Sequence, residues 1–279
     1  MGVVTIMGTE IYQERPKITG KKYFGQDYFN LSLYCPTISR KAKPGQFVEV
    51  KVSSADDPLL RRPLGIHSVK GNSFHILCEI VGRGTELLSG KQPGGYLDII
   101  GPLGNGFNFR HPASGIRHPV IVAGGMGVAP LVFLAEKLKE TKNSKSKMPI
   151  SVLIGARTKK QVLCEKEFKA LGCDVKIATD DGSAGFKGRV TDLLKYLLRA
   201  AILKPQAIYG CGPKPMLKEL AVICKKYRVP AQVSLEAHMS CGFGACLGCA
   251  VKTISGFQRV CKEGPVFNAQ DIIWQEDAV

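Results

Sequence analysis

Near the end of this 279-residue chain stands the segment SCGFGACLGC, and one more cysteine follows it after eleven residues. Cys241, Cys246, Cys249 and Cys261 therefore read C-x4-C-x2-C-x11-C. Three thiols share one loop, and the fourth returns from a predicted hairpin, VKTISGFQRV. Gly242, Gly244 and Gly248 let the main chain curl around a small volume and aim amides at sulfur. Four thiolates converging in this way predict an iron–sulfur cluster, and the opening spacing is that of plant-type [2Fe–2S] ferredoxins. The short last gap does not suit a whole ferredoxin domain, so the segment is expected to be a compact appendage. The competing reading is a structural zinc site, although zinc more often takes paired C-x2-C knuckles. A Gly- and Cys-rich piece of this size is too small for a core of its own and needs a metal to hold it.

The other six cysteines, Cys35, Cys78, Cys164, Cys173, Cys211 and Cys224, are spread along the chain. That distribution fits a reducing compartment better than a secreted disulfide framework. No window has the ~20 apolar residues of a membrane span, and the start lacks a secretory pattern. The expectation is a cytoplasmic chain with no membrane partner. The formal charge is +16, but the basic residues are scattered, with a local excess only from Lys137 to Lys147. No nucleic-acid motif accompanies them, so a solvated face is expected and no nucleic-acid partner. Anionic cofactors and ligating thiolates would offset part of that charge.

Residues 1–113 read as short strands separated by Gly/Pro turns, among them FVEVKV, SFHILCEIV and YLDII. About six such strands predict an antiparallel β-barrel. From residue 114 to 232 buried strands (PVIVAGG, ISVLIGA, VKIATDDG, AIYGCGP) alternate with helical stretches near 128–140, 161–171, 190–202 and 214–226. Alternation of this kind predicts a doubly wound parallel α/β domain. Residues 233–279 form the small C-terminal cysteine segment, and TKNSKSK (141–147) is a predicted surface linker.

Four segments have the chemistry of phosphate binding. In LLRRPLGIHS an arginine precedes a proline, a suitable clamp for a pyrophosphate. GRGTELLS sets Gly84 and Thr85 at a turn opening a short helix, where amides and a hydroxyl can meet phosphate. GGMGVAP joins a strand to a helix, with Pro130 in the place of the last glycine of a dinucleotide fingerprint. YGCGPKPML ends a later strand in a similar way. Open α/β sheets bind ligands at the carboxyl ends of their strands, so the last two loops are expected at one crevice.

In order, RRPLG, GRGT, GPLGNGF, GGMGVAP, TDDGS, CGPKPML, CGFGACLGC and RVCKEGPVF resemble the ferredoxin–NADP reductase superfamily. Within it they resemble the electron-transfer subunits of type B dihydroorotate dehydrogenases. That resemblance implies a barrel for FAD, a domain for NAD(H) and a [2Fe–2S] cluster on the four cysteines. Arg62, Pro63, Leu64 and Gly65 would line FAD, with Arg62 on its phosphate. Leu77, Cys78 and Glu79 would make the next flavin contact, and Gly84 and Thr85 the third. Gly125, Gly127, Cys211, Gly212 and Pro213 would face the nicotinamide nucleotide. Two positions depart from the pattern: Gly65 replaces a usual serine, and Glu79 stands where a basic residue is common.

The resemblance further implies an FMN-containing dihydroorotate dehydrogenase partner, two copies of each chain in a heterotetramer, and a place in pyrimidine biosynthesis. No residue here reads as a catalytic group for dihydroorotate. One rival is the flavin subunit of a ferredoxin-linked NAD(P) transhydrogenase or sulfide dehydrogenase, in which aspartate often replaces the first cluster cysteine; Cys241 argues against it. The other is a non-catalytic, zinc-stapled nucleotide-binding module, which would be colourless. His67 and His75 read as surface or packing residues, Cys164 and Cys224 as small buried hydrophobes in helices, and Trp274 as packing for the tail.

Overall fold

Short strands with buried apolar residues between Lys17 and Leu103 set the first layer of the molecule. The computed structural model describes residues 2–6, 9–55, 57–109, 118–141 and 149–274. Its N-terminal strands are β1 (Gly2–Ile6), β2 (Thr9–Glu14), β3 (Lys17–Phe24), β4 (Tyr28–Tyr34), β5 (Phe47–Lys51), β6 (Arg62–Lys70), β7 (Ser73–Glu79) and β8 (Asp98–Leu103). They form one antiparallel sheet in the order β1-β2-β8-β5-β6-β7-β4-β3. Lys17 pairs with Tyr96 just before β8, and Ile18 N donates to Gly95 O at 2.8 Å, so β3 closes back on the approach to β8. The result is the expected barrel, closed by six strands, with β1 and β2 as an added hairpin. Phe29, Leu31, Leu33, Val48, Val50, Ile66, Phe74 and Ile76 fill it. Two short helices, α1 (Pro36–Lys41) and α2 (Arg83–Ser89), sit in its connections.

The second layer comprises β9 (Pro119–Gly124), α3 (Ala129–Thr141), β10 (Ser151–Ala156), α4 (Glu165–Ala170), β11 (Asp174–Thr179), β12 (Phe186–Lys187), α5 (Val190–Arg199), β13 (Ala207–Cys211), α6 (Lys214–Tyr227) and β14 (Ala231–Ser234). The strands run parallel in the order β12-β11-β10-β9-β13-β14. Every residue of β9 is buried, as a strand covered on both faces requires. Ile121 and Ile154 face α3 and α4, whereas Val120, Val122, Leu153 and Ile208 face α5 and α6. Helices on both faces make the sheet doubly wound, as the alternation predicts. A 3-10 turn, Gly125–Val128, separates β9 from α3. The two layers interlock: Phe133 of α3 is buried in the barrel's own cluster.

The C-terminal piece is less separate than the sequence suggests. A boundary at 233 falls inside β14. After the hairpin β15 (Ala250–Thr253) and β16 (Gly256–Arg259), the chain returns as β17 (Val266–Asn268), which pairs antiparallel with β14 at the sheet edge. Val260, Phe267, Ala269 and Ile272 join the apolar cluster of α5 and α6. The cysteine segment is therefore an excursion between two strands of one sheet and borrows that sheet's core. Trp274 packs there, and its Nε1 donates to Ala269 O at 3.3 Å. Of the predicted linker, Thr141 ends α3 and 142–147 lie outside the described residues. Among the described residues no helix is long and apolar enough to cross a membrane.

Candidate functional site

The excursion between β14 and β17 brings the four thiols together in two pairs. Cys241 and Cys246 are within hydrogen-bonding reach of each other, and so are Cys249 and Cys261. The first pair lies at the surface edge, half-buried and exposed respectively, while Cys249 and Cys261 are each 3% exposed. Ala245 N donates to Cys241 Sγ at 3.3 Å, and Cys261 N to Cys249 Sγ at 3.4 Å. Burial opposes ionisation of Cys241, yet the amides of Phe243, Cys246 and Ala245 outweigh it and hold the thiol at about 6. Burial pushes Cys261 up, reinforced by the neighbouring Cys249 thiol, so this inner pair needs a cation before both can ionise.

Two dithiol pairs suit two bridged irons, each taking two thiolates. Glycine makes the loop possible: Gly242 and Gly244 have φ of +76° and +93°. Arg259 holds the loop to the hairpin, donating to Gly244 O at 2.6 Å and forking onto Glu263.

On the barrel, the Arg62 guanidinium lies directly over Gly84, where any Cβ would collide with its Nε. Its Nη1 donates to Leu60 O at 2.6 Å. The clamp and the glycine turn predicted separately are thus one feature. Leu59 and Val81, which adjoin these segments, are each 76% exposed. The Thr85 hydroxyl is already engaged: it accepts from Val81 N at 3.0 Å and donates to Gly82 O at 3.1 Å. It shapes the turn. Leu64 packs on the barrel core, and Pro63 lies opposite Glu49 in the β5–β6 register. Gly65 faces Pro130 at ordinary contact distance (3.5 Å from a Cβ position), so the missing serine reflects no steric demand.

Leu77 lines a small cleft with Phe24, His67, Leu163, Cys164 and Glu167, at the seam between barrel and α4. Cys78 points into the barrel core, so only its main chain can meet a ligand there. Glu79 accepts from the Tyr28 phenol, whose ionisation is pushed up by burial and by that carboxylate. His67 is a seam residue rather than a surface one: its Nδ1 donates to Ala129 O at 2.6 Å, and burial keeps it neutral. Cys164 caps α4 from a left-handed backbone (φ 59°) instead of lying within the helix.

The nucleotide loops end adjacent strands, β9 and β13, and touch. A Cβ at Gly127 would collide with the main chain of Cys211 and Gly212. One at Gly124 would meet Met216 and Pro213. Gly125 adopts φ +52° with open space beside it. Gly125, Gly127, Cys211, Gly212 and Pro213 are therefore gathered at one crevice at the carboxyl ends of the strands, as expected. The Cys211 thiol is buried, hydrogen-bonded to Ser234, and driven up by burial; it is a packing group in this loop.

Sequence reasoning missed one buried carboxyl. Glu49, on β5, is 0% exposed, and neither of its carboxylate oxygens has a partner. Burial pushes it up to about 7, against the pull of Arg61. The strand reads FVEVK, and a Glu between two valines in an alternating strand looks solvent-facing; in the fold Gly242 of the cysteine segment lies against it.

Comparison with known proteins agrees with this geometry. Residues 236–273 match the family described as the iron–sulfur cluster binding domain of dihydroorotate dehydrogenase B, and residues 121–221 match the oxidoreductase NAD-binding domain. The electron transfer subunit of dihydroorotate dehydrogenase B (NAD(+)) from Desulforamulus reducens is 44% identical over 246 residues, covering 86% of this chain and 90% of its own. The Bacillus caldolyticus protein of the same name is 39% identical over 94% of this chain and 99% of its own. A solved NADH-dependent reduced ferredoxin–NADP oxidoreductase superposes with a TM-score of 0.80 at 31% identity, over 93% of this chain and 90% of that one. The Neisseria gonorrhoeae ferredoxin–NADP+ reductase, solved with bound FAD and NADP, shares the fold (TM-score 0.62, 18% identity, 77% and 91% coverage).

Proposed function

The chain belongs to the family of dihydroorotate dehydrogenase B electron-transfer subunits, and from that membership we propose how its residues divide the work. It is an NAD-linked oxidoreductase subunit with FAD, a [2Fe–2S] cluster and NAD(H) as cofactors. It carries electrons between a dihydroorotate dehydrogenase catalytic subunit and NAD. Bound FAD supplies the exchange between nicotinamide's two-electron hydride and the cluster's single electrons. In this reading the partner carries FMN and oxidises dihydroorotate in pyrimidine biosynthesis, two copies of each chain assemble, and the complex works in the cytoplasm.

Residues 1–113 form the flavin unit, 114–232 the nucleotide unit, and 233–279 the cluster segment, threaded into the nucleotide sheet. Cys241, Cys246, Cys249 and Cys261 hold the cluster. Arg62, set over Gly84, binds the FAD pyrophosphate beside the amides of Gly84 and Thr85. Pro63, Leu64, Gly65, Leu77, Cys78 and Glu79 line the flavin, Cys78 through its main chain. The Gly125–Gly127 and Cys211–Pro213 loops seat the nicotinamide nucleotide. The observation that carries this reading is the pairing of the four thiols, three of them on a loop seated against the flavin barrel and the fourth after the hairpin.

Leu247 (64%) in the cysteine loop, and Ile254 (69%) and Phe257 (75%) on the hairpin that follows it, are exposed. Exposed apolar side chains on the cluster segment suit the catalytic partner, because electrons must leave through that segment. Coexpression with a dihydroorotate dehydrogenase catalytic subunit tests this. We expect a stable complex with dihydroorotate:NAD activity, weakened at least about tenfold in affinity by Phe257→Asp. Failure of the wild-type chains to associate or to couple dihydroorotate to NAD would overturn the reading.

A further inference from the structure

Glu49 is the least well satisfied group among the described residues. Val48 and Val50 point into the barrel core, so Glu49 points to the opposite face. That face is covered by the cysteine loop: a Cβ on Gly242 would collide with Cγ and Oε1 of Glu49. Both carboxylate oxygens are buried without hydrogen-bond partners. The nearest guanidiniums are committed elsewhere. Arg61 pairs with Asp98 at 2.9 Å, and Arg62 donates to Leu60 O. Electrostatically the carboxyl acts on Arg61 and Arg62 on one side and on Cys241 on the other.

A buried, unpartnered carboxyl is costly, and a fold that keeps one calls for a reason. Packing alone is already supplied here by glycine on one side and valines on the other. We propose that Glu49 is a positioning residue that places a negative charge beneath the Cys241 side of the cluster, making the cluster harder to reduce. The field of one charge at this range, in a protein interior, is large enough to matter. The inference rests on the cysteine ligation proposed above.

The test is a spectroelectrochemical titration of the holoprotein at pH 9, following the cluster by its visible and EPR signals. Glu49→Gln keeps the shape and removes the charge; Glu49→Asp keeps the charge. In Glu49→Gln we expect a more positive cluster potential, with the electron distribution between flavin and cluster shifted on the order of tenfold toward the cluster. Glu49→Asp should stay near wild type, with iron content equal in all three proteins. An unshifted potential in Glu49→Gln at full iron content would overturn the proposal. So would equal shifts in Gln and Asp, which would mark a purely structural role. Wild-type protein without iron would instead reject the ligation on which the inference rests.

Discussion

The barrel wall and the cysteine loop touch at Glu49 and Gly242, and they are specified by opposite means. The barrel is built from alternating apolar residues that close a dry core, with Phe29, Phe74 and Phe133 fully or almost fully buried. The loop builds no core of its own: Phe243 packs at the edge of the neighbouring cluster and Leu247 is exposed. It is held by glycines in left-handed conformations, by the Arg259 fork and by amides aimed at sulfur. One region gains its stability from burial; the other has a shape that makes sense around an ion it must ligate. Losing the ligand should therefore cost the second region far more than the first.

The largest effect should come from breaking the inner thiol pair. Cys261→Ala is expected to abolish cluster incorporation, read as loss of iron and visible absorbance, while FAD binding and thermal unfolding of the barrel stay close to wild type. Barrel unfolding at a much lower temperature would show that the two regions are not separable. Next is the flavin clamp: Gly84→Ala forces Arg62 out of its position, and FAD affinity should fall about tenfold to a hundredfold, the value of one or two charge-assisted contacts. Fluorescence titration of the flavin-free protein measures it, and the cluster should persist.

A smaller effect distinguishes the barrel by pH. His75 accepts or donates with Ser32 Oγ at 3.0 Å, and its ionisation is pushed down to about 4, by burial first and then by the charge of Lys70. Its folded value lies below its unfolded one, so the unfolded chain takes up the proton first. Stability is unaffected above about pH 6.5 and falls as pH drops toward about 4, by on the order of 1 kcal/mol once solvent screening is allowed for. Denaturant melts at pH 7 and pH 4.5 should show this loss, and His75→Gln should reduce it.

Much of this division was legible in the sequence. The buried run PVIVAGG, the helical spacing of VAPLVFLAEKLKE and the strand-end glycines located the nucleotide sheet and its crevice. The C-x4-C-x2-C-x11-C spacing located the metal chemistry. What stayed hidden depended on long-range packing. That Arg62 and Gly84 form one clamp follows from strand pairing and a turn that bring residues 22 positions apart into contact. Strand β3, KITGKKYF, is interrupted by Lys and Gly and carries a weak apolar pattern. The return of β17 to the nucleotide sheet rests on three residues, too few to read as a strand. Glu49 is charged in a strand and gives no local sign of burial, because its cover comes from nearly two hundred residues later.

The central claim is that the paired cysteines hold a binuclear iron–sulfur cluster beside a flavin. Iron and acid-labile sulfide analysis of freshly purified protein, together with its EPR spectrum after reduction, tests it directly. The account expects two irons and two sulfides per chain, flavin and cluster bands in the visible, and a reduced [2Fe–2S] signal. One zinc per chain in a colourless protein would contradict it.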